Sequence, residues 1–317
     1  MTTSSSRPTV LVTTPLLPSL QVAVERDFIV LKLWEASDRN ALLAEHATAV
    51  RAVVTTSFVG ADAALIAALP ALEIIASFGV GYDSIDIAAA QAHGVAVTNT
   101  PGVLCDGVAD CALALLLAVS HRICEADRFV RAGRWPQQGF GLGRSPAGKT
   151  CGIVGMGGIG RAVATRAAAF GMRIAYQGPR RKADLDYAYH ADLADLAAAS
   201  DYLVLALPGG AETRHTVDAT VLAALGAQGV LINVARGSVV DEAALVAALQ
   251  QGVIAGAGLD VFEDEPNVPA ALLGMDNVVL LPHIGSATEE TRQAMGELTF
   301  ANLTAWAQRQ TLLTRVV

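Results

Sequence analysis

The sequence predicts an α/β protein made of two doubly wound domains, each a parallel sheet covered by helices on both faces. Three observations carry this. At about 150 residues per domain, the 317 residues suit two domains, and a chain of that size buries a full core without disulfides or metals. Short β-branched runs alternate with Ala- and Leu-rich helical stretches from end to end, the pattern of βαβ units. The alternation falls into two series, parted by a long helical stretch and a glycine-rich loop.

In the first series the expected strands are Val10–Thr14, Phe28–Leu33, Ala52–Ser57, Leu72–Ser77 and Val95–Asn99. Helical patterns lie between them at Asp38–His46, Asp62–Leu69 and Asp86–His93. Each opens on an Asp, whose carboxylate accepts the orphan N–H bonds of a first turn. Pro101 to Arg131 then reads as one long amphipathic helix with apolar Val108, Leu113, Leu116 and Leu117. Gly133 to Gly148, with five Gly and two Pro, reads as a loop. The second series has strands at Cys151–Val154, Arg173–Tyr176, Tyr202–Leu207, Val230–Val234, Ile254–Leu259 and Val278–Leu281. Its helices are expected at Gly158–Phe170, Asp218–Leu225 and Asp241–Gln250. Asp241 and Glu242 also suit the positive end of the helix dipole.

Charge and composition exclude several classes. Lys and Arg number 22 against 30 Asp and Glu, a formal charge of −8. That argues against nucleic acid or an anionic membrane as partner, since both select basic faces. Although 53% of residues are hydrophobic, the tightest apolar stretch, Cys111–Val119, is far short of the ~20 residues that span a bilayer. Met1 to Pro18 lacks the continuous apolar core of a secretory signal. Cys105, Cys111, Cys124 and Cys151 form no C-x-x-C pair and read as reduced, mostly buried thiols. The expectation is a cytoplasmic enzyme with no membrane or nucleic-acid partner and no metal.

The segment that carries most chemistry is Gly155-Met156-Gly157-Gly158-Ile159-Gly160, a G-x-G-x-x-G turn. An apolar strand leads in and an Ala-rich helix leads out. Gly155 would allow the tight turn, Gly157 close approach to a pyrophosphate, and Gly160 close packing of helix on strand. The helix N-terminus then offers free N–H groups to phosphates. The competing reading is an ordinary βα turn with surplus glycine.

Cofactor choice is read about twenty residues on, where an NAD-selective site carries an acid for the ribose 2′-OH. Here the second strand ends in Gln177-Gly178-Pro179-Arg180-Arg181-Lys182. The acid is missing and three cations follow. Guanidinium groups bind a 2′-phosphate with charge-assisted bonds, so the expected cofactor is NADPH in preference to NADH. A solvated basic turn is the alternative.

Two motifs are decoys. Gly143 to Thr150 spells a P-loop but runs from a loop into a strand, so its N–H groups have no helix start to share. Asn302-Leu303-Thr304 is a glycosylation sequon by spelling only.

Three further residues fall just beyond successive strand ends: Arg236, Glu265 and His283. Ligands of open α/β sheets bind at that edge. Each alone reads more readily as a surface or capping residue than as a catalyst. Together they suit reduction of a 2-keto acid. Arg236 offers a planar fork for a carboxylate and could polarise the keto oxygen. An imidazole ordinarily titrates at about 6.5, so His283 could deliver a proton. Glu265, if bonded to His283, would orient its ring.

The chain resembles the D-2-hydroxyacid dehydrogenase family along nearly its whole length. The resemblance rests on Ser77 to Asp86, Asn99 to Leu104, the 155–160 turn, Asn233-Val234-Ala235-Arg236-Gly237, Gly258 to Phe262 with Glu265-Pro266, and Leu281-Pro282-His283-Ile284-Gly285. Within the family it is most similar to the glyoxylate, hydroxypyruvate and hydroxyphenylpyruvate reductases, on Arg122 to Asp127 and the basic turn.

The resemblance implies Rossmann-like and flavodoxin-like domains with a cleft between them. A discontinuous substrate domain would comprise 1–99 with 284–317, and a dinucleotide-binding domain 100–283, with a homodimer joined through about 101–145. Arg236, Glu265 and His283 would be catalytic. N–H groups of Val80 and Gly81 would hold the substrate carboxylate alongside Arg236 and His283. Asp260 would bind the nicotinamide carboxamide, and Leu207, Pro208, Thr213, Val234 and Ala235 would line the cofactor site with Arg236 and His283. Cys105 stands where the family commonly has Thr.

The chain stops soon after His283, leaving no room for the regulatory domain of longer phosphoglycerate dehydrogenases. Glu265 disfavours a formate dehydrogenase. A nucleotide-sensing corepressor on the same scaffold is the remaining alternative from another class. The expected substrates are glyoxylate and hydroxypyruvate. Phenylpyruvates are the alternative, with Phe58, Trp135 and Phe140 either walling an aromatic substrate or simply packing.

Overall fold

A computed structural model describes residues 7–317; the first six, part of the stretch read above for a secretory signal, lie outside the described residues. The chain forms two units. One comprises the described residues up to Leu104 together with Thr288–Val317, the other Cys105–Ala287.

The first unit is laid down in βα alternation: β1 (Thr9–Val12), α1 (Pro18–Asp27), β2 (Ile29–Lys32), α2 (Arg39–His46), β3 (Val50–Thr56), α3 (Ala63–Ala67), β4 (Ile74–Phe78), α4 (Ile87–Ala92) and β5 (Ala96–Thr98). The strands pair in parallel in the order β2-β1-β3-β4-β5. Residues on both faces are buried, among them Val10, Leu11, Val53, Val54, Ile74 and Ile75, which is why the strands read as unbroken apolar runs. The predicted caps form: Asp38, Asp62 and Asp86 accept from Ala41 N, Leu65 N and Ala89 N at 3.0, 2.8 and 2.8 Å.

The second unit begins with α5 (Cys105–Ser120) and α6 (Ile123–Arg131). It continues through β6 (Thr150–Val154), α7 (Gly158–Ala169), β7 (Arg173–Gln177), β8 (Ala188–His190), α8 (Leu193–Ala198), β9 (Tyr202–Leu205), α9 (Ala219–Leu225), β10 (Val230–Asn233), α10 (Glu242–Gln250), β11 (Gly256–Leu259), α11 (Ala270–Leu273) and β12 (Val278–Leu280). Its parallel sheet has the order β12-β11-β10-β9-β6-β7-β8. The strand order reverses between β9 and β6, so the segments after these two strands border the switch point where such sheets take ligands. The chain then returns to the first unit as α12 (Glu289–Ala307).

The single helix expected over Pro101–Arg131 is two helices, α5 and α6, bent by 60°. Ser120 Oγ donates back to Leu116 O at 2.5 Å and lies 3.0 Å from the Tyr202 hydroxyl, a back-bond that bends helices. Arg122 then takes a left-handed φ of 57°. Its side chain bonds Glu125 at 2.7 and 2.6 Å and lies 4.6 Å from the Phe140 ring centroid. Apolar spacing runs on across the break, so periodicity alone could not find it. Among the described residues no single helix is long and apolar enough to cross a membrane; Cys111–Val119 lies inside α5.

The thiols also differ from expectation. Only Cys151 is fully buried, and Cys105, Cys111 and Cys124 are partly exposed. Burial pushes Cys151 up to about 12, and burial with the nearby Asp260 charge takes Cys111 to about 12.

Helix α12 was not anticipated. Its buried face includes Thr291, Thr299 and Asn302, polar residues that interrupt the apolar period. It is tied to the sheet by Glu73, which accepts from Trp306 Nε1 at 2.9 Å and pairs with Arg51 at 2.5 Å. Burial would raise the Glu73 pKa, but the bonds from Arg51 and Trp306 outweigh it and hold the carboxyl below the usual carboxylate range. A group depressed in this way stabilises the fold above its unfolded pKa and stops doing so as pH falls through the folded one. Glu73→Gln should therefore lower the thermal midpoint at pH 7 by a few degrees, and the gap to wild type should close below about pH 4. A gap that persists in acid would assign Glu73 a packing role instead.

Candidate active site

The glycine turn is built by close approaches. Gly155 has a φ of +93°, and a Cβ there would meet Ala206 O and Leu207 at 2.8 Å. The turn after β6 thus abuts the segment after β9 at the switch point. A Cβ on Gly160 would sit 2.1 Å from Gly155 O, and one on Gly158 would lie 2.8 Å from Cys105 Sγ. Gly157 differs, because a Cβ there would meet nothing within 4 Å. It is the N-cap of α7 and makes no side-chain cap bond. Uncapped N–H groups opening onto unfilled space fit the pyrophosphate of a dinucleotide. Met156 is buried under the turn and Ile159 is half-buried.

At the end of β7, Gln177 O accepts from Gly155 N at 3.0 Å. The basic turn is held by Lys182 N donating to the Tyr176 hydroxyl at 2.7 Å and by the Tyr189 hydroxyl donating to Gly178 O at 3.1 Å. Nearby Arg161 is neutralised by Asp184 at 2.8 Å. The exposed side chains of Arg180 and Arg181 have no hydrogen bond or ion pair among the described residues.

Further along the sheet, Leu207 and Pro208 follow β9, and Thr213 Oγ1 donates to Pro208 O at 2.8 Å. After β10 the backbone makes an Asx turn that the sequence did not reveal. Asn233, 1% exposed, accepts from Ala235 N and donates to Arg236 O, both at 3.0 Å. This fixes Val234, Ala235 and Arg236 against one another, and Arg236 Nη1 donates to Ala235 O at 2.8 Å. A Cβ on the next residue, Gly237, would lie 1.8 Å from the Phe262 carbonyl carbon. Only glycine lets the Arg236 turn press so closely on the segment after β11.

That segment and the one after β12 are stitched together by Asp260. Its carbonyl accepts from His283 N at 2.8 Å. Its carboxylate accepts from Ile284 N at 2.7 Å and Gly285 N at 2.8 Å. Burial raises the Asp260 pKa against the pull of those two N–H bonds and of His283. The three bonds keep His283 at a φ of +54°, a conformation a non-glycine residue holds only when its surroundings impose it. Glu265 Oε1 accepts from Phe262 N at 2.9 Å, and Oε2 lies 2.7 Å from His283 Nδ1. Burial would raise the Glu265 pKa, but His283, the Phe262 N–H and the Arg236 charge outweigh it and keep the group a carboxylate. Arg236, Glu265 and His283 are therefore gathered by three adjacent strand ends of one sheet.

Val80 and Gly81 belong to the first unit, just beyond β4. Among the described residues neither N–H has an acceptor. Of the aromatics considered for a substrate wall, Phe140 packs 5.3 Å from Phe129 and under Arg122; Phe58 and Trp135 are exposed. No group of three metal-ligating side chains occurs among the described residues.

Comparison with known proteins agrees with this geometry. Residues 113–285 match the family described as D-isomer specific 2-hydroxyacid dehydrogenase, NAD binding domain. The chain is 49% identical to glyoxylate/hydroxypyruvate reductase A of Arabidopsis thaliana, over 97% of this chain and 98% of that one. It is 48% identical to hydroxyphenylpyruvate reductase of Plectranthus scutellarioides, with the same coverage. The crystal structure of an NADPH-dependent glyoxylate/hydroxypyruvate reductase from Sinorhizobium meliloti, in complex with NADP and malonate, superposes with a TM-score of 0.93 at 46% identity, covering 98% of this chain and 97% of that one.

The two kinds of glycine in the turn separate in a test. Gly157→Ala should leave the thermal midpoint within about a degree of wild type yet weaken dinucleotide binding tenfold or more, because the methyl fills space that only a ligand would use. Gly160→Ala should destabilise the fold itself, by an amount typical of overpacking, about 1–3 kcal/mol. Calorimetry with and without cofactor distinguishes them; equal behaviour of the two variants would contradict the assignment.

Proposed function

The chain belongs to the D-isomer specific 2-hydroxyacid dehydrogenase family, and on that footing we propose that it reduces glyoxylate and hydroxypyruvate to D-2-hydroxy acids with NADPH. The observation that carries the chemistry is the 2.7 Å contact of Glu265 Oε2 with His283 Nδ1. A carboxylate on Nδ1 fixes the tautomer and the orientation of the ring.

In this reading Arg236 binds the substrate carboxylate with its fork and polarises the keto oxygen. Val80 and Gly81 supply two further N–H donors to that carboxylate. A reduced nicotinamide, when bound, supplies a hydride to the keto carbon. His283 Nε2 delivers the proton to the keto oxygen, so the C=O becomes CHOH; Glu265 balances the positive charge of the protonated ring before the transfer, and the neutral ring then takes up a proton from solvent. Asp260 acts by holding the His283 loop and by offering its carboxylate to the nicotinamide carboxamide.

We assign 100–283 to the cofactor and 1–99 with 284–317 to the substrate. NADPH selectivity is supported by the lack of an acid at Gln177 and by two exposed, unpaired arginines beside it, Arg180 and Arg181. A second reading, reduction of hydroxyphenylpyruvate, is favoured by the 48% identity with the Plectranthus enzyme. The working form proposed is a cytoplasmic homodimer joined through 101–145, where Trp135 is 67% and Leu142 95% exposed.

His283→Ala should lower turnover by about a hundredfold or more while NADPH binding, followed by fluorescence titration, persists. Near-normal turnover would remove His283 from its role. Arg180→Ala combined with Arg181→Ala should raise the NADPH KM about tenfold or more and leave that for NADH within about twofold; an equal rise for both cofactors would end the selectivity argument.

A further inference from the structure

The turn that carries Val80 and Gly81 is held by bonds traceable to the end of the chain. Gly79 O accepts from Thr100 N at 2.9 Å. Val80 O accepts from Asn99 Nδ2 at 2.8 Å. Asn99 is itself clamped by Thr314: its carbonyl accepts from Thr314 Oγ1 at 2.6 Å, and its N–H donates to Thr314 O at 3.4 Å. Thr314 Oγ1 in turn accepts from Asn302 Nδ2 at 2.8 Å. The other Nδ2 hydrogen goes to Leu298 O at 3.0 Å, and Asn302 Oδ1 accepts from Leu313 N and Thr314 N at 2.9 and 3.2 Å. Asn302 is 0% exposed, and every donor and acceptor of its carboxamide is engaged. The strap goes on alongside β5, where Arg315 pairs antiparallel with Thr98 and Val316 N donates to Val97 O at 2.7 Å.

The geometry of one peptide gives this chain of bonds a consequence. The Val80–Gly81 peptide is trans, so its C=O and N–H point in opposite directions from one plane. Capture of Val80 O by Asn99 therefore turns the Gly81 N–H to the opposite side, where no group among the described residues accepts it. We propose that Asn99 is a positioning residue for substrate binding, and that the strap Leu313–Val317, pinned on Asn302, holds Asn99 so that the Gly81 N–H is aimed at the keto-acid carboxylate. The inference rests on the reading of Val80 and Gly81 as carboxylate donors given above.

Thr314→Val removes the hydroxyl that links Asn302 to Asn99 and keeps the shape; Thr314→Ser keeps the hydroxyl. One hydrogen bond in such a chain corresponds to roughly three- to tenfold in affinity. Thr314→Val should raise the glyoxylate KM by that factor, with kcat and NADPH dissociation constant within about twofold of wild type, and Thr314→Ser should restore it. Asn99→Ala should raise the KM at least as much. A folded Thr314→Val with wild-type KM overturns the proposal. So does a parallel loss of KM, NADPH affinity and thermal midpoint that serine does not rescue, since that is the mark of a general structural role.

Ethyl glyoxylate, which has no carboxylate, separates this from the underlying reading. Wild type should strongly prefer the acid to the ester, and Thr314→Val should narrow that preference. Equal use of acid and ester by wild type would remove the carboxylate reading and the strap's role with it. A wild-type preference that Thr314→Val leaves intact would remove the strap's role alone.

Discussion

The 2.7 Å contact between Glu265 and His283 is made by two side chains that lie on different loops, and neither loop would hold its course alone. Parallel pairing of β10, β11 and β12 brings three carboxyl ends to one edge. Two short-range constraints then draw the loops together. The missing side chain of Gly237 lets the Arg236 turn close on Phe262, and Asp260 takes three successive N–H groups from residues 283–285. Backbone, not the reactive groups, sets the geometry. This matches the way precise sites are built on rigid strand ends with a second layer of support.

The two acids serve by being unlike. Asp260 is buried and its pKa rises despite two N–H bonds, whereas Glu265 meets His283, Phe262 and Arg236 and its pKa falls. Folded-state linkage follows with opposite signs. Asp260 favours the fold below its unfolded pKa and loses that contribution as pH rises through the folded value. Glu265 favours it above its unfolded pKa and loses that contribution as pH falls. Neighbouring carboxyls pushed apart in this way are a common arrangement where one must stay charged.

Much of this was legible in the residues. The Asp caps, the strand cores and the glycine turn appear because each depends on local chemistry: a carboxylate near free N–H groups, β-branched runs, a missing Cβ. The trio was visible as three polar residues after three apolar runs. What escaped had a tertiary cause. The break at Arg122 is set by Ser120 reaching back to Leu116 and by Tyr202 from a distant strand. Helix α12 hid its period because Thr291, Thr299 and Asn302 are buried polar residues, bonded to the N-cap Thr288, to Met295 O one turn back, and to Thr314 in the C-terminal strap. Asn233 looks like part of a motif, and only the folded turn gives it a task.

Asn302 also changes the meaning of a pattern that spelling alone set aside. Its carboxamide faces inward and has no unused hydrogen or lone pair, so the folded chain offers nothing for an oligosaccharide to join. A host that routes the nascent chain through its secretory machinery would meet Asn302-Leu303-Thr304 before burial. A glycan attached at that moment would keep α12 from seating, so the choice of expression host bears directly on whether this protein reaches its native form.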